Sequence, residues 1–146
     1  THCTDIDPMI ERATGRSVAE LFEEEGEESF RDREHLAVVQ ALALPPHVVA
    51  PGGGWAARPG NLDAVAGRSL TVHLAVSPEV AARRLEGDRL RPLLQGPDRE
   101  AAIGRLAEHR LPFYRRADVE IDVSRLSAEQ VADAILGVAR VQAGWR

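Results

Sequence analysis

Two aspartates, Asp5 and Asp7, flank Ile6 near the start of the 146-residue sequence. If the segment they end is a strand, its period of two puts both carboxylates on one side. Paired acids there suit a magnesium ion, a hydroxyl to be deprotonated, or both. Asp7, which precedes Pro8, reads equally well as a helix cap. Further along, Phe30-Arg31 is followed by Glu34. At i,i+3 on a helix the acid can hold the guanidinium for a bidentate grip on a ligand carboxylate, and a surface ion pair is the alternative reading. Gly52-Gly53-Gly54 lets a ligand approach a backbone whose N–H groups can donate to it. Arg91-Pro92-Leu93-Leu94 and Arg110, the latter followed by Pro112 and Tyr114, add two more forks suited to carboxylate or phosphate.

Local signals indicate which elements carry these residues. Asp7-Pro8 predicts an N-cap with proline at the first helical position and a short helix that stops at Gly15. Ser17 with Glu20 predicts a capping box opening a helix that Gly26 ends. Apolar residues at helical spacing from about Glu27 to Leu44, among them Phe30, Leu36, Val39 and Ala43, predict the next helix, closed by Pro45-Pro46. His47 to Ala50 is a short apolar run feeding the glycines, as a buried parallel strand would. Leu70 to Val76 predicts a second strand, and Ser77-Pro78 a capped helix to about Glu86. The polar, arginine-rich stretch from Gly87 to Pro97 suits a loop over an anionic ligand or an ordinary surface loop. Asp98 opens a helix to about Arg116, Val119 to Val123 is a strand, and Ser127 with Gln130 boxes a last helix. Short apolar strands alternating with helices predict an α/β fold with a parallel sheet covered by helices on both faces. Function then belongs at the carboxyl ends of the strands.

Composition narrows the partners. At 44% hydrophobic and 28% charged, the chain is predicted to be one domain spanning residues 1–146. It has no run of about 18 apolar residues, which excludes a membrane helix and makes the cytoplasm the expected location. One cysteine, Cys3, allows no internal disulfide and no Cys-rich zinc site, and His2-Cys3 lacks further ligands at zinc spacing. The formal charge of −5 disfavours nucleic acid, so a small molecule is the expected partner. All 18 basic residues are arginine, which removes any chemistry needing a lysine ammonium. His35, His47, His73 and His109 have no nucleophile partner and read as surface or satisfied core residues. Trp55 reads equally as a pocket wall or as core.

Taken together, Asp5-x-Asp7 with Ile10-Glu11, Gly26-Glu27 with Phe30-Arg31-x-x-Glu34, Gly52-Gly53-Gly54, Arg91-Pro92-Leu93-Leu94 and Arg110-x-x-x-Tyr114 resemble, in order and spacing, the shikimate kinases. The resemblance spans nearly the whole chain. It implies a nucleoside-monophosphate-kinase-like fold that moves the γ-phosphoryl of ATP to the 3-hydroxyl of shikimate, on the route to chorismate and aromatic amino acids. It implies that Asp5 lies near magnesium, through water, and near the reacting hydroxyl, and that Asp7 binds shikimate hydroxyls. Arg31, oriented by Glu34, and Arg110 would grip the shikimate carboxylate. Gly53, between Gly52 and Gly54, would contact shikimate through its backbone. Arg84 would flank adenine, and Arg91 would neutralise phosphate charge from a lid at about 87–97. The shikimate-binding segment would run from about residue 7 to 44, and a magnesium-dependent monomer is expected. Phosphoryl transfer asks the protein mainly for positioning and positive charge, which these parts supply.

The family's G-x-x-x-x-G-K-[ST] loop does not occur in these residues, and Gly52-Gly53-Gly54 lacks its lysine and hydroxyl. The resemblance therefore predicts that a first strand, phosphate loop and first helix precede Thr1 in the natural product, and that the chain by itself is inactive. A non-catalytic module that binds shikimate without turning over ATP is the rival reading. A gluconate-type kinase is disfavoured by the two carboxylate-gripping arginines.

Overall fold

The computed structural model describes residues 2–85 and 98–145. In chain order the elements are β1 (Cys3–Asp5), α1 (Ile6–Thr14), α2 (Val18–Ala41), β2 (Val48–Ala50), α3 (Asn61–Val65), β3 (Val72–Ala75), α4 (Pro78–Arg84), α5 (Arg99–Tyr114), β4 (Val119–Asp122) and α6 (Ala128–Gln142). The described strands form two pairs, both parallel. Cys3, Thr4 and Asp5 lie opposite Val48, Val49 and Ala50, and Val72 to Ala75 lie opposite Val119 to Asp122. Parallel strands require crossovers, and helices supply them. The α/β class predicted from the sequence is thus observed. Among the described residues no helix is long and apolar enough to cross a membrane.

The chain divides into two compact units, residues 1–68 and 69–146. In the first, α1 and α2 pack on each other, and Ile6, Ile10, Leu21, Phe30, Val38, Trp55 and Val65 form a continuous buried cluster. In the second, α4 packs on α5, and β3 pairs with β4. Its buried apolar residues, among those described, are Ile103, Val123 and Ala139. The strand pair is fastened at its entry by Asp118, whose carboxylate accepts from the Thr71 N–H at 2.8 Å and hydroxyl at 2.6 Å.

Local signals set most element ends. Both capping boxes form with both halves present, at Ser17 with Glu20 and at Ser127 with Gln130, and α1 stops at Gly15. Two boundaries differ from expectation. The N-cap of α1 is Asp5 rather than Asp7, because the Asp5 carboxylate reaches the Asp7 N–H at 3.2 Å and the helix begins at Ile6. Pro8 is then the third helical residue, where a missing N–H is harmless because first-turn donors have no intrahelical partner. Gly26 kinks α2 rather than ending it. Its φ of 82° and ψ of 168° are open to glycine, and helix resumes at once beyond it. The short helix α3 was not anticipated. Its N-cap is Gly60, which offers no side-chain cap to read from sequence.

Candidate acceptor-binding site

The first unit brings Arg31, Glu34 and the glycine turn together. On α2 the i,i+3 spacing places Arg31 Nη1 2.8 Å from Glu34 Oε2. The other oxygen, Glu34 Oε1, accepts the Gly52 N–H at 2.8 Å. Glu34 is fully buried, with both carboxylate oxygens engaged. Burial pushes its carboxyl above the usual 4.5, the charge of nearby Asp7 adds to that, and the Arg31 guanidinium and the Gly52 N–H oppose it.

The guanidinium is held from further sides. Arg31 Nη2 lies 3.3 Å from Glu27 Oε1, one turn back on α2. The Phe22 and Phe30 rings lie beneath the charge, with centroids 5.8 and 5.5 Å away, close enough for cation–π attraction. Two of the five N–H donors that a guanidinium carries are thereby engaged, which leaves a fork for an anion. With the Arg31 side chain only 17% exposed, a carboxylate arriving there meets a charge that is already positioned and partly dehydrated.

The glycines are needed here for close approach. A Cβ on Gly54 would sit 2.4 Å from Arg31 Nη2, and one on Gly52 would sit 2.6 Å from Glu34 Oε1. The backbone turn thus lies directly against the ion pair, and the Gly52 N–H is committed to Glu34. Trp55 follows. Its N–H donates to Gly52 O at 2.9 Å, closing the turn, and its ring is core.

The remaining predicted site residues are placed as follows. Asp5 is exposed at the end of β1, with an oxygen on the Asp7 N–H. Asp7 lies in the first turn of α1, so the two acids do not share a strand face. In the second unit, Arg84 ends α4, and its Nη2 donates to the carbonyls of Val123 at 2.8 Å and Leu126 at 3.1 Å. Arg110 is half-buried on α5 and makes no hydrogen bond or ion pair among the described residues. Arg91 and the stretch 87–97 lie outside the described residues. Glu27, Phe22 and the ring of Phe30 went unassigned in the sequence reading. The signal for Glu27 was present, four residues before Arg31, in the favoured order of acid before base. The partnership of Glu34 with Gly52, 18 residues away, has no local signal.

The shikimate kinase family model matches residues 1–140. Shikimate kinase from Caldanaerobacter subterraneus subsp. tengcongensis is 42% identical over 132 residues, which is 90% of this chain and 77% of that protein. Shikimate kinase from Mycobacterium leprae is 41% identical over 140 residues, covering 95% of this chain and 69% of that one. Among solved structures, shikimate kinase from Acinetobacter baumannii in complex with shikimate superposes with a TM-score of 0.87 at 32% identity, over 96% of this chain and 79% of that one. Shikimate kinase from Aquifex aeolicus gives 0.77 at 27% identity, over 98% and 84%.

Proposed function

The chain belongs to the shikimate kinase family, a family of ATP-dependent kinases, and from that premise we propose that it binds shikimate as acceptor of the γ-phosphoryl of ATP. The product is shikimate phosphorylated on its 3-hydroxyl, on the route to chorismate and aromatic amino acids. One observation carries the reading: a guanidinium fork held by a buried carboxylate, with a glycine turn laid against both. Arg31 takes the shikimate carboxylate, Glu34 fixes the fork, and Gly52 to Gly54 form the close backbone wall, with Gly53 the residue that contacts the acceptor. Asp7 binds acceptor hydroxyls. Arg110, half-buried and without a partner among the described residues, is assigned to the carboxylate by the resemblance. Asp7, Arg31 and Glu34 belong to an acceptor-binding segment from about residue 7 to 44, and all of these residues to one shikimate-kinase-like domain. Arg84, whose guanidinium also holds the 123–126 loop, flanks adenine, and Arg91 neutralises phosphate charge.

Magnesium is expected with ATP. Among the described residues no three His, Cys, Asp or Glu side chains gather into a cage for it. An ion carried by phosphates and waters needs only one or two carboxylates. Asp5, exposed and with spare acceptor capacity, fits that part through water, beside the acceptor hydroxyl whose proton it would accept. The bound ion would supply neutralisation of phosphate charge.

Calorimetric titration with shikimate tests the assignment. Arg31→Ala should weaken binding about 100-fold, the scale of one charge-assisted bidentate contact. No binding by the parent chain, or equal binding by the variant, overturns it. Shikimate binding with no phosphorylated product from the natural gene product in the presence of MgATP favours the non-catalytic module instead.

A further inference from the structure

Trp55 is absorbed by none of the roles above, yet it is the residue to which the glycine turn is tied. Its N–H closes the turn onto Gly52 O at 2.9 Å, and its carbonyl accepts from Asn61 Nδ2 at 2.9 Å and from the Arg58 N–H at 3.2 Å. Its ring is 4% exposed, in the same buried cluster as Phe30, Val38 and Ile10, and it stacks on His35 at 6.4 Å between centroids and 17° between planes. His35 is the residue after Glu34 on α2. The indole therefore clamps the turn against the helix that carries both Arg31 and Glu34. The Trp55 Nε1 is buried with no hydrogen-bond partner among the described residues, and the contribution argued here is that of the ring.

We propose that Trp55 is a positioning residue for the acceptor-carboxylate grip. The ring, set in the core and against His35, fixes the turn from Gly52 to Trp55. The turn fixes Glu34 through the Gly52 N–H, and Glu34 fixes the Arg31 fork. A displaced turn would leave the Glu34 carboxylate with one open oxygen inside the core, and the guanidinium would follow the carboxylate. The proposal rests on the reading that Arg31 binds the shikimate carboxylate. It adds that the fork is set by an aromatic ring 24 residues further along the chain.

Two readouts on the 146-residue chain separate the link from its use. Amide hydrogen exchange at Gly52, followed by NMR beside a core amide such as Ile10, reports the link without ligand. Shikimate titration reports its use. Trp55→Leu should speed Gly52 exchange about tenfold more than that of Ile10 and weaken shikimate binding about tenfold. Trp55→Phe, which keeps an aromatic ring but loses the fused second ring and its N–H, should move both less than Trp55→Leu does, within about threefold of the parent. If Trp55→Leu does not fold, His35→Leu removes the stacking partner and should move both readouts about threefold in the same direction. A merely structural tryptophan would change Gly52 and Ile10 exchange together and leave affinity unchanged. That result overturns the proposal, as does lost Gly52 protection with unchanged affinity. Failure of the parent to bind shikimate overturns the functional reading while the exchange data still decide the link.

Discussion

Arg31 and Arg110 are both offered to the same kind of ligand group, yet their surroundings could hardly differ more. Arg31 is gripped by buried Glu34, steadied by Glu27 and laid over two phenylalanine rings, on a unit whose core runs from Ile6 to Val65. Arg110 has no partner among the described residues, on a unit with Ile103, Val123 and Ala139 as its described buried apolar residues. A fixed fork loses little freedom when a carboxylate arrives, and a loose one must be ordered by the ligand. The fixed fork carries its own cost, since the Glu34 carboxylate must be kept out of water. One arginine is therefore built into the fold and the other is built onto it.

The largest expected effect breaks the built-in one. Glu34→Ala leaves Arg31 without its buried counterion and the Gly52 N–H without an acceptor, and should destabilise the chain by about 3 kcal/mol in urea unfolding. Arg110→Ala should change stability by less than about 0.5 kcal/mol in the same experiment while still weakening shikimate binding. Comparable losses of stability at the two positions would dissolve the contrast. A glycine pair sharpens it at smaller scale. Gly54→Ala drives a Cβ to 2.4 Å from Arg31 Nη2 and should cost about 1–2 kcal/mol of stability and roughly tenfold in shikimate affinity. Gly104→Ala, in the middle of α5 with nothing within 4 Å of the added carbon, should instead stabilise by about 0.5–1 kcal/mol, read from thermal midpoints.

The same contrast governs what could be read from sequence. Ser17 with Glu20, Ser127 with Gln130, Gly15 and the Arg31–Glu34 spacing are decided within four residues, and the structure has them as expected. The parallel strands were legible from their short apolar runs between helices. Where a local signal admits a second outcome, the boundary moved. Asp7-Pro8 predicts the cap at Asp7, whereas α1 is capped by Asp5, whose carboxylate meets the first-turn N–H. Gly26 reads as a stop because glycine ends helices, but a single residue at positive φ can turn the chain and let helix resume. The grip on Glu34 by Gly52 and the burial of Trp55 against His35 join residues about 20 positions apart, and only tertiary packing brings them together.

The smallest expected effect is a difference in sign, and it sets one carboxyl in each unit against the other. Glu34 is held above its usual 4.5 chiefly by burial. Its contribution to stability is therefore full below 4.5 and declines as pH rises through the raised value. Asp118 is held below its usual 3.8 by the Thr71 hydroxyl and N–H, so its contribution is full above 3.8 and declines as pH falls through the lowered value. Urea midpoints measured at steps from about pH 3 to pH 7 should show the deficit of Glu34→Gln, relative to the parent, shrinking with rising pH. The deficit of Asp118→Asn should grow over the acid end of that range and then level. A Glu34→Gln deficit that instead grew with pH would mean that Arg31 and the Gly52 N–H outweigh burial at that carboxyl. Arg31 would then be held by a fully favourable ion pair, and the fixed fork would carry no cost that the loose one avoids.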